Sequence, residues 1–219
     1  MKHLSLLVLL TICIPFLGDA GYLPDCPDEL HNTGACAQYF ENKLLKNHRN
    51  LFQRTDRSLS INLTNGKKKV YTDVDSDSGT YYSVIKYFLD VGYALIHVGY
   101  LEGHSYFLLN TSNGAEWKVE GYALLSPKKK RFLIYEKDLD AEYSPNVLRI
   151  YRINPQGLDL EFDALPEHWG PSQVRWIDEQ EVVFSKDSRN PTDPNYSPET
   201  HESRGQRMLK YRGGVWTLN

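Results

Sequence analysis

Apolar positions recur along this chain in different patterns, and each predicts a different element. An unbroken apolar run spans Leu4 to Leu17, preceded by Lys2 and His3 and followed by Gly18, Asp19, Ala20 and Gly21. From Ala37 to Gln53 the spacing turns helical. Phe40, Leu44 and Leu51, with Tyr39, Leu45 and Phe52, form one apolar face, which predicts a packed amphipathic helix. From Leu59 onward the pattern shortens to strands. Tyr81–Phe88, Tyr93–Tyr100, Tyr106–Leu109, Glu116–Val119 and Tyr122–Leu125 are rich in β-branched and aromatic residues and separated by short turns. Phe132–Tyr135, Val147–Ile153, Leu158–Phe162, Val174–Ile177, Val182–Phe184, Met208–Tyr211 and Val215–Leu218 continue in the same way. No stretch of crossover-helix length separates them, so the strands are expected to pair antiparallel.

The strands repeat. Four hairpins share a strand, a glycine-bearing turn and a strand, with turn glycines at Gly66, Gly114, Gly157 and Gly213. Their separations are 48, 43 and 56 residues, the last widened by a polar, proline-bearing loop from Lys186 to Arg207. Two further strands precede the second, third and fourth hairpins. The expected fold is therefore all-β, with antiparallel four-stranded units in a propeller-like meander: three full units and one half unit, behind an N-terminal helix and a disulfide loop. The stretch Leu125 to Phe132 reads Leu-Ser-Pro-Lys-Lys-Lys-Arg-Phe and resembles the Ser-Pro-Asp-Gly-Lys turn of WD40-like, TolB-type β-propeller repeats. Trp176 to Val182 stands at the equivalent turn one unit later. The resemblance covers about residues 59–219 and implies propeller blades.

Composition narrows the setting. Apolar residues are 41% and charged residues 24% of 219, as in a folded domain. The net charge of −3 gives no electrostatic footprint for nucleic acid. The basic start, apolar run and small residues describe a signal peptide over residues 1–20, cleaved after Ala20. Its apolar part spans about 21 Å as a helix, short of the roughly 30 Å hydrocarbon core. No second run is long enough to cross a membrane. Cleavage would remove Cys13 and leave Cys26 and Cys36, an even pair in an oxidising compartment, for which a disulfide is expected. The expected organisation is a disulfide loop and helix over 21–58 and a β-repeat domain over 59–219.

Candidate chemistry lies in the loops. Asp73, Asp75 and Asp77 alternate before Ser78 and Gly79, as in the opening of a calcium loop or in a solvated acidic turn. Ser78 and Val84 stand where an EF-hand has Gly and Glu. Gly103-His104-Ser105 begins like a nucleophile elbow, but Phe107 replaces its final glycine. Glu102 and His104, near His97, are candidate binding or acid–base residues, or belong to an ordinary hairpin. Asp138, Asp140 and Glu142 read as a linker, or as paired carboxylates if they face one another. His168 and Trp169 form a recognition patch or a plug at one end of the core.

No catalytic motif is complete, so the expected function is an exported, non-enzymatic binding module, periplasmic or extracellular. It would recognise a protein or a glycan, in one form as an inhibitor or immunity protein. No cofactor is expected beyond calcium at the acidic turn. The alternatives are an exported hydrolase with a dispersed active site and a calcium-stabilised structural protein.

Overall fold

The computed structural model describes residues 23–30, 32–75, 79–101, 103–139, 142–188 and 202–219, with side chains from 205 in the last segment. The expected signal peptide lies outside the described residues. Among the described residues, one helix, α1 (Thr33–Asn47), precedes fifteen strands in four sheets, each a meander in chain order. Sheet 1 holds β1 (Phe52–Arg54), β2 (Ser58–Asn62) and β3 (Lys68–Thr72). Sheet 2 holds β4 (Tyr81–Phe88), β5 (Tyr93–Gly99), β6 (His104–Asn110) and β7 (Glu116–Lys118). Sheet 3 holds β8 (Tyr122–Leu125), β9 (Arg131–Glu136), β10 (Val147–Asn154) and β11 (Gly157–Ala164). Sheet 4 holds β12 (Trp169–Trp176), β13 (Glu181–Ser188), β14 (Glu202–Arg212) and β15 (Val215–Leu218). Every strand pairing is antiparallel, and the repeated hairpins are the last two strands of each sheet.

Several boundaries differ from the sequence reading. The helix ends at Asn47, because the His48 amide returns to Leu44 as a cap, and Phe52–Arg54 then pairs with β2. The half unit thereby becomes a three-stranded sheet. The helix also starts earlier, where the Asn32 side chain accepts the Ala35 amide at 2.7 Å. His168-Trp169-Gly170-Pro171 is not a loop throughout: β12 begins at Trp169 and carries Pro171. A proline has no N–H to donate, and β12 tolerates it as an edge strand with a register shift between Ser172 and Arg175. Likewise β14 starts at Glu202 rather than Met208, since its pairing with β13 extends to Ser188↔Glu202.

Strand alternation sorts side chains into seams between consecutive sheets. Phe52, Leu59, Ile61 and Tyr71 of sheet 1 pack with Val84, Ala94, Ile96 and Leu109 of sheet 2. The other face of sheet 2, with Phe88, Tyr93, Leu95 and Leu108, meets Phe132 and Ile134 of sheet 3. Leu133, Leu148 and Ile150 of sheet 3 meet Val182, Phe184, Leu209 and Trp216 of sheet 4. Among the described residues, no buried cluster joins sheet 4 to sheet 1.

Polar ties reinforce each seam. Lys69 and Tyr71 donate to Glu116. Arg149 bridges Glu120 and Asp163 at 2.8 and 2.6 Å. Arg131 pairs with Glu161 at 2.6 Å and Glu179 at 3.4 Å, and lies over the rings of Tyr211 and Trp216.

The sheets are aligned so that like ends adjoin. At one end gather the short turns. Thr64 donates to Thr111, Lys129 pairs with Asp90, and Ser126 donates to Glu179. At the other end gather the β5–β6, β9–β10 and β11–β12 connections. There His104 meets Glu136, Lys137 meets Asp187, and the Asn146 side chain donates to the Pro166 carbonyl.

The N-terminal loop closes over the seam between sheets 2 and 3. Cys26 and Cys36 form a disulfide with Cα atoms 5.8 Å apart. Leu23, Cys36 and Ala37 are buried in that core.

Candidate functional site

The long-loop end of the seam between sheets 2 and 3 carries a cluster of polar side chains. On sheet 2, His97, His104 and Tyr106 share a face with Leu95 and Leu108, because alternate residues of a strand point the same way. That face looks at sheet 3. On β9, Glu136 falls in phase with Phe132 and Ile134 and faces back. The apolar seam thus ends in a polar cluster.

His104 Nε2 lies 3.2 Å from Glu136 Oε2, with both side chains largely buried (14% and 11% exposed). The other Glu136 oxygen accepts the Lys137 amide at 3.2 Å. The three rings of His97, His104 and Tyr106 lie 5.2–5.6 Å apart. Burial pushes His97 down to about 3, with the neighbouring His104 adding to the shift, and its Nε2 has no protein partner among the described residues. Burial first, then Glu136, raises the Tyr106 phenol well above its ordinary range.

Above this floor opens a cleft of about 200 Å³, lined among others by Tyr100, His104, Tyr106, Glu136 and Tyr143. Tyr100 and Tyr143 stand on its rim, 43% and 60% exposed. Lys118 and Glu120 form the opposite lip, 3.2 Å apart, and Glu120 also accepts from Arg149. Both loops are shaped for this. Asp138 accepts the amides of Glu142, Tyr143 and Ser144 at 2.8–3.0 Å, which winds the β9–β10 loop inward. Gly103 has φ 84°, and a Cβ there would lie 3.1 Å from Tyr143 Cβ. The bare backbone lets the two loops touch.

A second polar group sits beneath the disulfide loop. Lys86 donates to the Tyr122 hydroxyl at 3.1 Å and lies over the Tyr122 and Phe88 rings. Burial lowers the Lys86 ammonium, and Asp25, next to Cys26, opposes that shift. Burial raises the Tyr122 and Tyr135 phenols, and Asp25 adds to both shifts.

The residues expected from sequence are distributed unevenly. His104 lies in the cleft, while Glu102 lies outside the described residues. Asp138 orders a cleft loop. Trp169 stacks on Phe184 at 5.9 Å with Lys186 over it, which makes it part of the sheet 3–sheet 4 seam. His168 is exposed beside Glu167. Asp73 accepts from Arg54 and from the Tyr82 amide, both at 2.9 Å. Asp75 pairs with Arg57 at 3.6 Å on the surface, and Asp77 lies outside the described residues. The sequence reading missed Glu136 and Tyr143. Strand parity from Phe132 would have placed Glu136 on the right face, but nothing local indicates that β9 and β6 meet.

The chain matches no protein-family model, no curated protein and no solved structure. Among the described residues, no helix is long and apolar enough to cross a membrane.

Proposed function

We propose that this chain is an exported, non-enzymatic binding module that takes part of a partner, protein or glycan, into the cleft between sheets 2 and 3. The observation that carries the reading is the pairing of exposed Tyr100 and Tyr143 with a largely buried, hydrogen-bonded His104–Glu136 floor. Exposed aromatic rings beside a few convergent polar groups suit recognition, because the ring contributes contact area at low entropic cost and the polar groups set orientation. Export is supported by the signal-like N-terminus and by the disulfide. The consecutive meanders of three and four strands are compatible with the WD40-like resemblance. An inhibitor or immunity role is one form of this reading.

The test is capture. Immobilised protein is exposed to envelope or extracellular extract, beside a Tyr100→Ala/Tyr143→Ala variant. A partner retained by the parent and lost by the variant supports the reading. Equal retention by both would remove the cleft from it.

One observation favours a hydrolase as the second reading: a carboxylate that orients an imidazole beside an open cleft is an acid–base arrangement. Glu136→Gln would then abolish a turnover detectable in the parent by a broad hydrolase screen.

A further inference from the structure

The cleft's size, charge and walls narrow its ligand, on the premise that it is the binding site. We infer that it holds a single neutral sugar ring, the terminal residue of a glycan. Three observations lead there.

The first is size. At about 200 Å³ the cleft is smaller than the roughly 300–1,000 Å³ of pockets for drug-sized ligands. It admits one ring or one large side chain, not a folded segment.

The second is charge. The floor pairs His104 with Glu136, and the lip pairs Lys118 and Arg149 with Glu120. Among the described residues, the Lys118 and Arg149 cations at the cleft already face a carboxylate. An anionic ligand would have to displace Glu120 from Lys118 and Arg149 and would meet the Glu136 carboxylate on the floor. A cationic one would have to compete with Lys118 and Arg149 for Glu120, and with the hydrogen bonds of His104 and the Lys137 amide for Glu136. A neutral ligand meets no such penalty.

The third is the chemistry of the walls. Tyr100 and Tyr143 offer aromatic faces and phenol hydroxyls, while Glu136 and His104 offer an acceptor and a ring nitrogen of either role. Among the described residues, the lining contains one aliphatic ring, Pro145, and no Leu, Ile, Val or Met. A hydrophobic side chain would gain little by entering. A sugar has the complementary surface: C–H groups on the faces of the ring for tyrosine, and hydroxyls around its edge for the carboxylate–imidazole pair. Gly103, which keeps Tyr143 pressed over the β5–β6 loop, positions one of these aromatic walls.

The experiment is titration of the isotopically labelled chain, followed by amide and histidine ring resonances. The probes are the methyl glycosides of glucose, galactose, mannose and N-acetylglucosamine. N-acetylneuraminic acid is the anionic arm and N-acetyl-tyrosine amide the side-chain arm. The expected result is saturable, millimolar binding of at least one neutral glycoside, with shifts centred on His104, Tyr106 and Tyr143. Tyr143→Ala and Glu136→Gln should each weaken it about tenfold or more. The His168→Ala variant should bind as the parent does. The disulfide and dispersion of the spectrum verify that each variant is folded. Saturable binding of the anionic or tyrosine probe alone overturns the inference, as does neutral-sugar binding that Tyr143→Ala leaves unchanged. No glycoside binding up to several tens of millimolar overturns it too. In that last case a partner still captured through Tyr100 and Tyr143 would leave the binding-module reading standing, and loss of both would end both.

Discussion

At the residue scale, His97 has the most direct consequence. Its imidazole is buried against His104 and Tyr106 and held neutral, down to about 3, whereas the unfolded chain binds a proton near 6.5. Between those values the unfolded state carries the extra proton, so stability falls as the pH drops through this window. Replacing His97 with Gln should flatten the decline in Tm between about pH 6.5 and pH 4, measured by thermal melts in a pH series. A parallel decline in both proteins would assign acid sensitivity to other groups.

Asp73 makes a contrasting case. Its carboxylate is already matched by Arg54, which also pairs with buried Glu41 at 2.8 Å. Asp73→Asn is expected to destabilise with or without calcium, and EDTA to leave the Tm of the parent unmoved. A fall in Tm with EDTA would show that the acidic turn holds calcium.

At the scale of elements, local signals set the limits of α1 and of the hairpins. Asn32 caps the helix, and Asn32→Ala should cost about 1 kcal/mol, read by denaturant unfolding. The disulfide closes a short loop and anchors the segment before it, whose Leu23 is buried in the core. Replacing both cysteines with serine should cost about 3 kcal/mol by the chain-entropy estimate, and should loosen hydrogen exchange first in residues 23–30 and β4. The turn glycines are of two kinds. Gly66 and Gly213 face open space, whereas a Cβ on Gly157 would lie 2.1 Å from the Trp117 ring. Gly157 lets sheet 3 approach sheet 2. Gly157→Ala should therefore destabilise more than Gly66→Ala, although both occupy the same place in the repeat.

At the scale of the whole molecule, stability rests on seams between consecutive sheets, and in the seam to sheet 4 one side chain joins several groups. Arg131 binds Glu161 and Glu179 and underlies Tyr211 and Trp216, while Trp216 Nε1 donates to Glu161 at 3.2 Å. Arg131→Ala leaves buried Glu179 without its cation and Glu161 with only the longer pairing to Arg152, and should cost about 3 kcal/mol. Hydrogen exchange should rise in β13–β15 before it rises in sheets 1 and 2. A uniform rise would mean that the sheets unfold as one unit. Alignment of the sheets also makes the cleft. It requires the β5–β6 loop of one sheet and the β9–β10 loop of the next to lie at the same end.

The sequence alone determined most of the strands, their antiparallel pairing, the repeat of hairpins and the partnering of Cys26 with Cys36. These depend on alternation, turn residues and cysteine number, which are written in neighbouring positions. It also pointed to His104, because chemistry-bearing residues in a loop stand out against apolar strands. Tertiary structure decided the rest. Phe52–Arg54 has the apolar spacing of a helix and becomes a strand because β2 offers an edge to pair with. Trp169 reads as a loop residue and enters a seam because its strand reaches Ser188. Glu136 joins His104 only because sheets 2 and 3 pack face to face with like ends together. Such contacts, 32 residues apart in the case of His104 and Glu136, are set by how faces fit rather than by any local pattern.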